Sequence, residues 1–172
     1  LLAKGKPIGA SLAEPDMVDT ARRIMDVAAA YNCQILLPKD VVVAVEFKLG
    51  AEHRLASSDD VADGEMILDA GAESVAAATA FLDRCSTIVW NGPMGAFEIP
   101  PFDAATTALA CAVAAKTQRD GLMSVAGGGD TMAALANAGV NDQFSYVSTA
   151  GGAFLEWLEG KRLPGVEALR ID

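Results

Sequence analysis

The stretch VAGGGDTMAAL, residues 125–135, places three glycines and an aspartate between an apolar run and an alanine-rich helical pattern. The apolar run predicts a β-strand, and residues 130–138 predict a helix. Glycine at such a turn lets backbone N–H groups approach a ligand closely, and the positive end of the following helix points at the same place. Phosphate is the anion that best matches this geometry.

The same alternation of strand and helix runs along the chain. Strands are predicted at QILL (34–37), VVVAVEF (41–47), MILD (66–69), STIVW (86–90), LMSVA (122–126) and SYVST (145–149), and helices near 16–31, 72–84, 103–118, 130–138 and 152–159. Continuously apolar strands are typical of a parallel sheet covered by helices on both faces. The pattern therefore predicts an α/β fold, a three-layer doubly wound and mainly parallel sheet of Rossmann-like type. The polar stretch 51–65 is predicted to be a surface loop, and residues 1–172 to form one domain.

Composition limits the possible partners. The chain has 172 residues, 52% hydrophobic content and a formal net charge of −10, so it repels nucleic acid and anionic membranes. No apolar run approaches the roughly 20 residues of a membrane-spanning helix. Three widely separated cysteines argue against a disulfide framework or a zinc site and favour buried thiols in a reducing compartment. The opening LLAKGKPIG has no secretory signal and no initiator methionine, so we expect a fragment that is incomplete at its N-terminal side.

Asp130 is the informative residue of the glycine stretch. A bare carboxylate beside a phosphate is repelled unless a divalent cation lies between them, and Mg²⁺ is commonly held by one or two carboxylates together with substrate phosphates. The alternative is that residues 127–129 only make a tight turn and that Asp130 is the N-cap of the helix. Both interpretations stay open from this stretch alone.

Other glycine-rich junctions follow predicted strands at LDAG (68–71), WNGPMGAFE (90–98) and STAGGAFLE (148–156). Ligands bind at the carboxyl ends of strands in open parallel sheets. Glu98 could accept hydrogen bonds from ribose hydroxyls, or it could be a surface acid without a role. The pattern GxxxxGK[ST] is absent, and Met132 occupies the place of the third glycine of GxGxxG.

Three motifs occur in the same order as in the nucleotide-binding C-terminal lobe of phosphoglycerate kinases, which this chain closely resembles. They are VWNGPMGAFE, VAGGGDT and STAGGAFLEWLEGKRLPGV. The runs ILLPKDVVVA, ILDAGAES and EPDMVDTARRIM resemble that family as well, so the resemblance covers essentially the whole chain. Three glycine-rich motifs in this order are a specific signature.

The resemblance implies a set of site residues. The adenine and ribose pocket would be lined by Gly71, Asn91, Gly92 and Pro93, with Glu98 on the ribose hydroxyls. The nucleotide phosphates would meet Gly128, Gly129, Asp130 and Thr131. Asp130 would contact Mg²⁺, and backbone N–H groups near Gly129 and Gly152 would face the phosphoryl group in transfer. Ser148 and Thr149 resemble the family's hinge, and Ala72 and Ala150 depart from its usual proline and glycine.

The implied reaction is reversible phosphoryl transfer from 1,3-bisphosphoglycerate to ADP, giving 3-phosphoglycerate and ATP, with Mg²⁺ bound to the nucleotide. The family's basic substrate lobe and its lysine-bearing glycine turn have no counterpart here, so the chain alone is expected to bind Mg-nucleotide weakly without turnover. A cytoplasmic protein, monomeric at full length, is expected. The alternatives are a non-catalytic nucleotide-binding module and an NAD-dependent oxidoreductase domain, which would show the dinucleotide fingerprint.

Overall fold

The computed structural model describes residues 1–149 and 151–169, which form an α/β structure as predicted. The strands are β1 (Asp40–Ala44), β2 (His53–Ser57), β3 (Met66–Ala70), β4 (Thr87–Asn91), β5 (Met123–Gly127) and β6 (Tyr146–Ser148). The helices are α1 (Val18–Ala30), α2 (Ala72–Leu82), α3 (Ala104–Asp120), α4 (Gly129–Asn137), α5 (Gly151–Leu158) and α6 (Pro164–Glu167). The five predicted helices are all present, and their ends lie within two residues of the predicted ones.

The chain divides into two compact units. The first comprises Leu1–Asp83 and Met94–Leu109, and the second comprises Arg84–Pro93 and the chain from Ala110 onward. Helix α3 begins in the first unit and ends in the second. The single domain expected over residues 1–172 stays a prediction.

The first unit contains an antiparallel sheet in the order β2–β1–β3. This pairing differs from the parallel one expected for VVVAVEF and MILD, since a short apolar run fits either kind of buried strand. The core beside it consists of Val41, Val43, Ala56 and Val61, with Ile67 packed against them.

Two local predictions in this unit were wrong. Residues 34–37 form no strand, and Leu36 and Leu37 instead line a cavity of about 220 Å³. The expected surface loop at 51–65 contains β2, in which only Ala56 is buried. Strand β2 lies at the sheet edge with its other side chains exposed, so its sequence lacks the apolar alternation that identifies a half-buried strand.

The second unit contains the predicted parallel sheet, in the order β4–β5–β6. Helix α3 connects β4 to β5, and α4 connects β5 to β6, so each parallel pair has the helical crossover that it needs. Helix α4 ends beside Gly139, whose φ of 69° provides the left-handed backbone common after a helix.

Two expectations from composition can be compared with the described residues. None of the helices in this part of the chain is both long and apolar enough to cross a membrane. The three cysteines, all among the described residues, form no disulfide, but Cys33 and Cys111 are exposed, so the expectation of buried thiols was wrong.

Candidate functional site

The carboxyl ends of the three parallel strands lie in one row. Asn91, the last residue of β4, is in register with Gly127 at the end of β5, and Gly127 is in register with Ser148 at the end of β6. The turns that follow these residues therefore leave the sheet side by side. Among them are the turns at Gly92 and Gly128, and the chain re-enters helix at Gly151.

The glycine turn after β5 leads directly into a helix. Gly128 is the N-cap of α4 with φ of 102°, a conformation that side-chain-bearing residues rarely adopt. Asp130 is the second residue of the helix and lies in its first turn, and no side chain makes a capping hydrogen bond there. The alternative in which Asp130 is the N-cap was therefore wrong, and its exposed carboxylate is not used to close the helix end.

The hydroxyl of Thr131 joins the turns after β4 and β5. Thr131 is 1% exposed, and its Oγ1 accepts a hydrogen bond from the backbone N–H of Gly92 at 2.7 Å. A Cβ at Gly128 would lie 3.5 Å from the same oxygen and 3.6 Å from Oδ1 of Asn91. The structure thus brings Asn91, Gly92, Gly128 and Thr131 together, with Pro93 half-buried next to them.

Trp90 supports the turn after β4 from within the unit. Its indole N–H donates to the carbonyl oxygen of Gly92 at 2.6 Å, and its ring meets Phe144 edge-on with the ring centres 6.2 Å apart. Trp90 is 6% exposed. The backbone of Gly92 is therefore held by two side chains, Trp90 of β4 at its carbonyl oxygen and Thr131 of α4 at its N–H.

Gly129 and Gly152, which the family resemblance assigns to the transferred group, have open surroundings. Apart from the adjoining residues and the nearby backbone of the same helix, no atom of the described residues lies within 4 Å of a Cβ built at Gly129 or at Gly152. Both residues are exposed, so their backbone can be approached from solvent. Ser148, assigned to the hinge, is buried and Thr149 is exposed, whereas Ala150 lies outside the described residues.

Gly71 lacks a side chain for a reason that the sequence did not reveal. A Cβ at Gly71 would lie 2.2 Å from Cγ of Asp40. The Asp40 carboxylate accepts the N–H groups of Glu73 and Ser74 at 3.0 and 2.7 Å, and the Ser74 hydroxyl at 2.6 Å. Asp40 thereby binds two of the backbone N–H groups in the first turn of α2, which begins at Ala72.

The environment of Asp40 also changes its ionisation. Burial alone would raise its pKa, but the hydrogen bonds from the Ser74 hydroxyl and from the amides of Glu73 and Ser74 outweigh burial and lower the pKa below 3.8. Asp40 is therefore a charged cap within the first unit.

Glu98 is exposed in a turn of the first unit, and a second buried acid lies next to that segment. Asp69 is 2% exposed, and a Cβ at Gly95 would lie 2.3 Å from its Oδ1. Sequence reasoning missed both Asp40 and Asp69. The available signal was a carboxylate within an apolar strand, which must be paired when it is buried.

Comparisons with known proteins show the family of this chain. The family model described as phosphoglycerate kinase matches residues 1–161. The chain is 62% identical over 170 residues to a phosphoglycerate kinase of Xanthobacter autotrophicus and 60% identical over 169 residues to one of Rhodospirillum centenum, covering 99% and 98% of this chain and 43% of each relative.

Two solved structures give the same result. The structure of phosphoglycerate kinase from Coxiella burnetii superimposes with a TM-score of 0.92 at 46% identity, covering 98% of this chain and 42% of that one. The enzyme from Pyrococcus horikoshii gives a TM-score of 0.79 at 29% identity, covering 98% of this chain and 41% of that one. The chain spans less than half the length of the relatives that it matches.

Fold and site together define an α/β protein whose parallel sheet presents a row of glycine-rich turns at its carboxyl edge. Rossmann-like folds bind their ligands at that edge. The chain belongs to the phosphoglycerate kinase family.

Proposed function

We propose that this chain carries the Mg-nucleotide site of a phosphoglycerate kinase, which transfers a phosphoryl group between 1,3-bisphosphoglycerate and ADP to give 3-phosphoglycerate and ATP. The observation that carries the proposal is the row of Asn91, Gly127 and Ser148, with the turns after β4 and β5 joined by Thr131. Family membership supplies the reaction class.

The chain's contribution to the reaction is alignment and charge stabilisation. Phosphoryl transfer passes through a loose transition state whose negative charge spreads over the equatorial oxygens, and it needs no covalent enzyme intermediate. Backbone N–H groups near Gly129 and Gly152 lie in open surroundings and would donate hydrogen bonds to these oxygens. Gly128 and Thr131 would complete the phosphate contacts, Thr131 through its backbone N–H, because its side chain is buried with Oγ1 bound to the N–H of Gly92.

The donor set suits a metal that arrives with the nucleotide. Among the described residues there is no group of three or more His, Cys, Asp or Glu side chains that could hold a metal ion. Asp130 instead offers one exposed carboxylate at the start of α4, and Mg²⁺ is typically bound by one or two carboxylates plus substrate phosphates. Mg²⁺ would offset the phosphate charge, and Asp130 would hold it there.

The remaining assignments concern the nucleoside and the protein as a whole. Gly71, Asn91, Gly92 and Pro93 would line the adenosine pocket, and Glu98 would accept hydrogen bonds from the ribose hydroxyls. The 172-residue chain alone would bind nucleotide without turnover, because the family's basic substrate lobe has no counterpart in its sequence. We also propose that the whole protein is a cytoplasmic monomer acting in glycolysis and gluconeogenesis.

Calorimetric titration with ADP, with and without Mg²⁺, tests the proposal. Asp130→Asn is expected to weaken binding at least about tenfold with Mg²⁺, which is about 1.4 kcal/mol, and much less without it. Asp142→Asn is the matched control, because Asp142 is an exposed acid of the same unit that lies after α4. A coupled assay on the 172-residue chain should show no ATP formation.

Equal losses with and without Mg²⁺ would reject the metal role of Asp130. Preference for NAD over ADP in a competition titration would favour an oxidoreductase domain instead. Measurable ATP formation by the chain alone would contradict the proposal that turnover needs the family's basic substrate lobe.

A further inference from the structure

Asp69 is a buried carboxylate that joins two elements of the first unit. It is the fourth residue of β3 and is 2% exposed. Its Oδ1 accepts the N–H of Ala70, and its Oδ2 accepts the N–H of Ala105 in the first turn of α3, both at 2.9 Å. The carboxylate therefore fixes the start of α3 against the end of β3.

The segment before α3 is closed at both ends near this carboxylate. At its beginning, Gly95 lies so near Asp69 that a Cβ would be 2.3 Å from Oδ1, and the N–H of Ala96 donates to the carbonyl oxygen of Leu68 at 2.8 Å. At its end, Asp69 accepts the N–H of Ala105. The segment from Gly95 to Ala105 thus starts and finishes against the same side chain.

A second bond closes the same segment one residue further out on each side. The N–H of Met94 donates to Oγ1 of Thr106 at 2.9 Å, and Thr106 is 1% exposed. Thr106 therefore supports the closure that Asp69 makes, without carrying a charge.

Glu98 lies in the middle of this closed segment. The N–H of Ile99 donates to the carbonyl oxygen of Ala96 at 3.0 Å, which makes a turn around Glu98. Ala96 and Ile99 pack against a buried cluster that contains Phe102. The Glu98 side chain is exposed, so its backbone is fixed while its carboxylate is free to meet a ligand.

We propose that Asp69 is a positioning residue for Glu98, holding the Gly95–Ala105 segment so that the Glu98 carboxylate is set for the ribose hydroxyls of the nucleotide. This inference rests on the proposed function, in which Glu98 binds the ribose. Asp69 itself does not contact the nucleotide and acts through the backbone that it holds.

The two hydrogen bonds of Asp69 require two acceptor oxygens. The amide of an asparagine offers one acceptor oxygen and an NH₂ group that cannot accept. Asp69→Asn therefore releases the N–H of Ala70 or that of Ala105 while conserving the volume of the side chain. A loosened segment changes ribose recognition without changing any group that touches the nucleotide.

The test compares ADP with 2′,3′-dideoxy-ADP by the ratio of their kcat/KM values. It uses the full-length protein with its substrate lobe, because the 172-residue chain alone is expected not to turn over. Glu98→Gln should reduce the preference for ADP about tenfold, since hydrogen bonds to charged groups are the stronger class. Asp69→Asn should reduce it several-fold, and the double variant should lose no more than Glu98→Gln alone. The KM for 1,3-bisphosphoglycerate, the substrate that reacts with ADP, should stay unchanged in each variant. Asp63→Asn, an exposed acid of the same unit, is the matched control and should keep the full preference.

A purely structural role for Asp69 predicts a different result. Partial unfolding lowers the rate with both nucleotides equally and leaves their ratio unchanged. If Glu98→Gln alters the ratio and Asp69→Asn does not, the positioning role is overturned while the proposed function stands. If Glu98→Gln leaves the ratio unchanged, the ribose assignment fails and the inference fails with it.

Thr106 provides a second variant in case Asp69→Asn does not fold. Thr106→Val removes the acceptor for the Met94 N–H at constant volume, and Thr106→Ser keeps it. The valine variant should lower the preference for ADP and the serine variant should retain it. Equal ratios in the two variants would also overturn the inference.

Discussion

The hydrogen bond between Thr131 and Gly92 permits a sharp test of the proposed nucleotide site. Thr131→Val keeps the shape of the side chain and removes only the oxygen that accepts the Gly92 N–H at 2.7 Å. Thr131→Ser keeps this oxygen and removes a methyl group. The two variants therefore separate the link between the turns from the packing of α4.

The expected energies can be taken from the burial of the two groups. Thr131 is 1% exposed and Gly92 is half-buried. In Thr131→Val the Gly92 N–H therefore loses its acceptor and is only partly accessible to water, which could replace it. Leaving such a donor unsatisfied costs about 1 to 2 kcal/mol of unfolding free energy. Loss of one buried methyl group costs about 1 kcal/mol. The two variants should therefore differ little in stability.

ADP affinity is expected to distinguish them. In the valine variant the turn at Gly92 is no longer bonded to the start of α4. This variant should bind Mg-ADP about tenfold more weakly, because tenfold corresponds to about 1.4 kcal/mol, close to the free energy of one lost hydrogen bond. The serine variant should bind as the unchanged protein does. Urea denaturation measures the stability, and calorimetry measures the affinity. Equal affinities in the two variants would refute a role for the hydroxyl in holding the turns for the nucleotide.

Two further predictions concern buried acids. Burial raises the pKa of Asp69 from 3.8 to about 6. Between these pH values the folded state therefore binds more protons than the unfolded state. The free energy of unfolding should fall by up to about 3 kcal/mol as pH rises from about 4 to 6. Denaturation midpoints at several pH values, measured for the unchanged protein and for Asp69→Asn, check this. The difference between the two slopes is the contribution of Asp69, and a difference of opposite sign would contradict the prediction. Gly71→Ala should lower the free energy of unfolding by about 1 to 3 kcal/mol because its Cβ would meet Asp40, whereas Gly152→Ala should change it little. Thermal unfolding of both variants measures the difference, and equal losses would disprove the steric account.

The glycine turns and the helices could be predicted because their signals are local. Alanine-rich segments have helical periodicity over their whole length, and a run of glycines between a strand and a helix indicates a turn without reference to distant residues. The row of Asn91, Gly127 and Ser148 then follows from parallel pairing, in which strand ends that point the same way meet at one edge.

The features that were missed depend on distant partners. The apolar run at 41–45 does not distinguish an antiparallel neighbour from a parallel one, and β2 buries only Ala56. Asp69 finds its partner Ala105 36 positions away, and no local pattern indicates that pairing. A carboxylate inside the apolar runs PKDVVVA and MILDAG could have been recognised as a buried acid that needs donors.

The hydrogen bond between Trp90 and Gly92 makes Trp90 an intrinsic fluorescence probe of the Gly92 turn. The chain has two tryptophans, Trp90 with 6% exposure and Trp157 with 54%. Iodide in solution reaches Trp157 and quenches its fluorescence, while the emission of Trp90 survives. Since the Trp90 indole N–H is bound to the carbonyl of Gly92, an anion that settles at this turn alters the electric field at the ring and shifts the remaining emission.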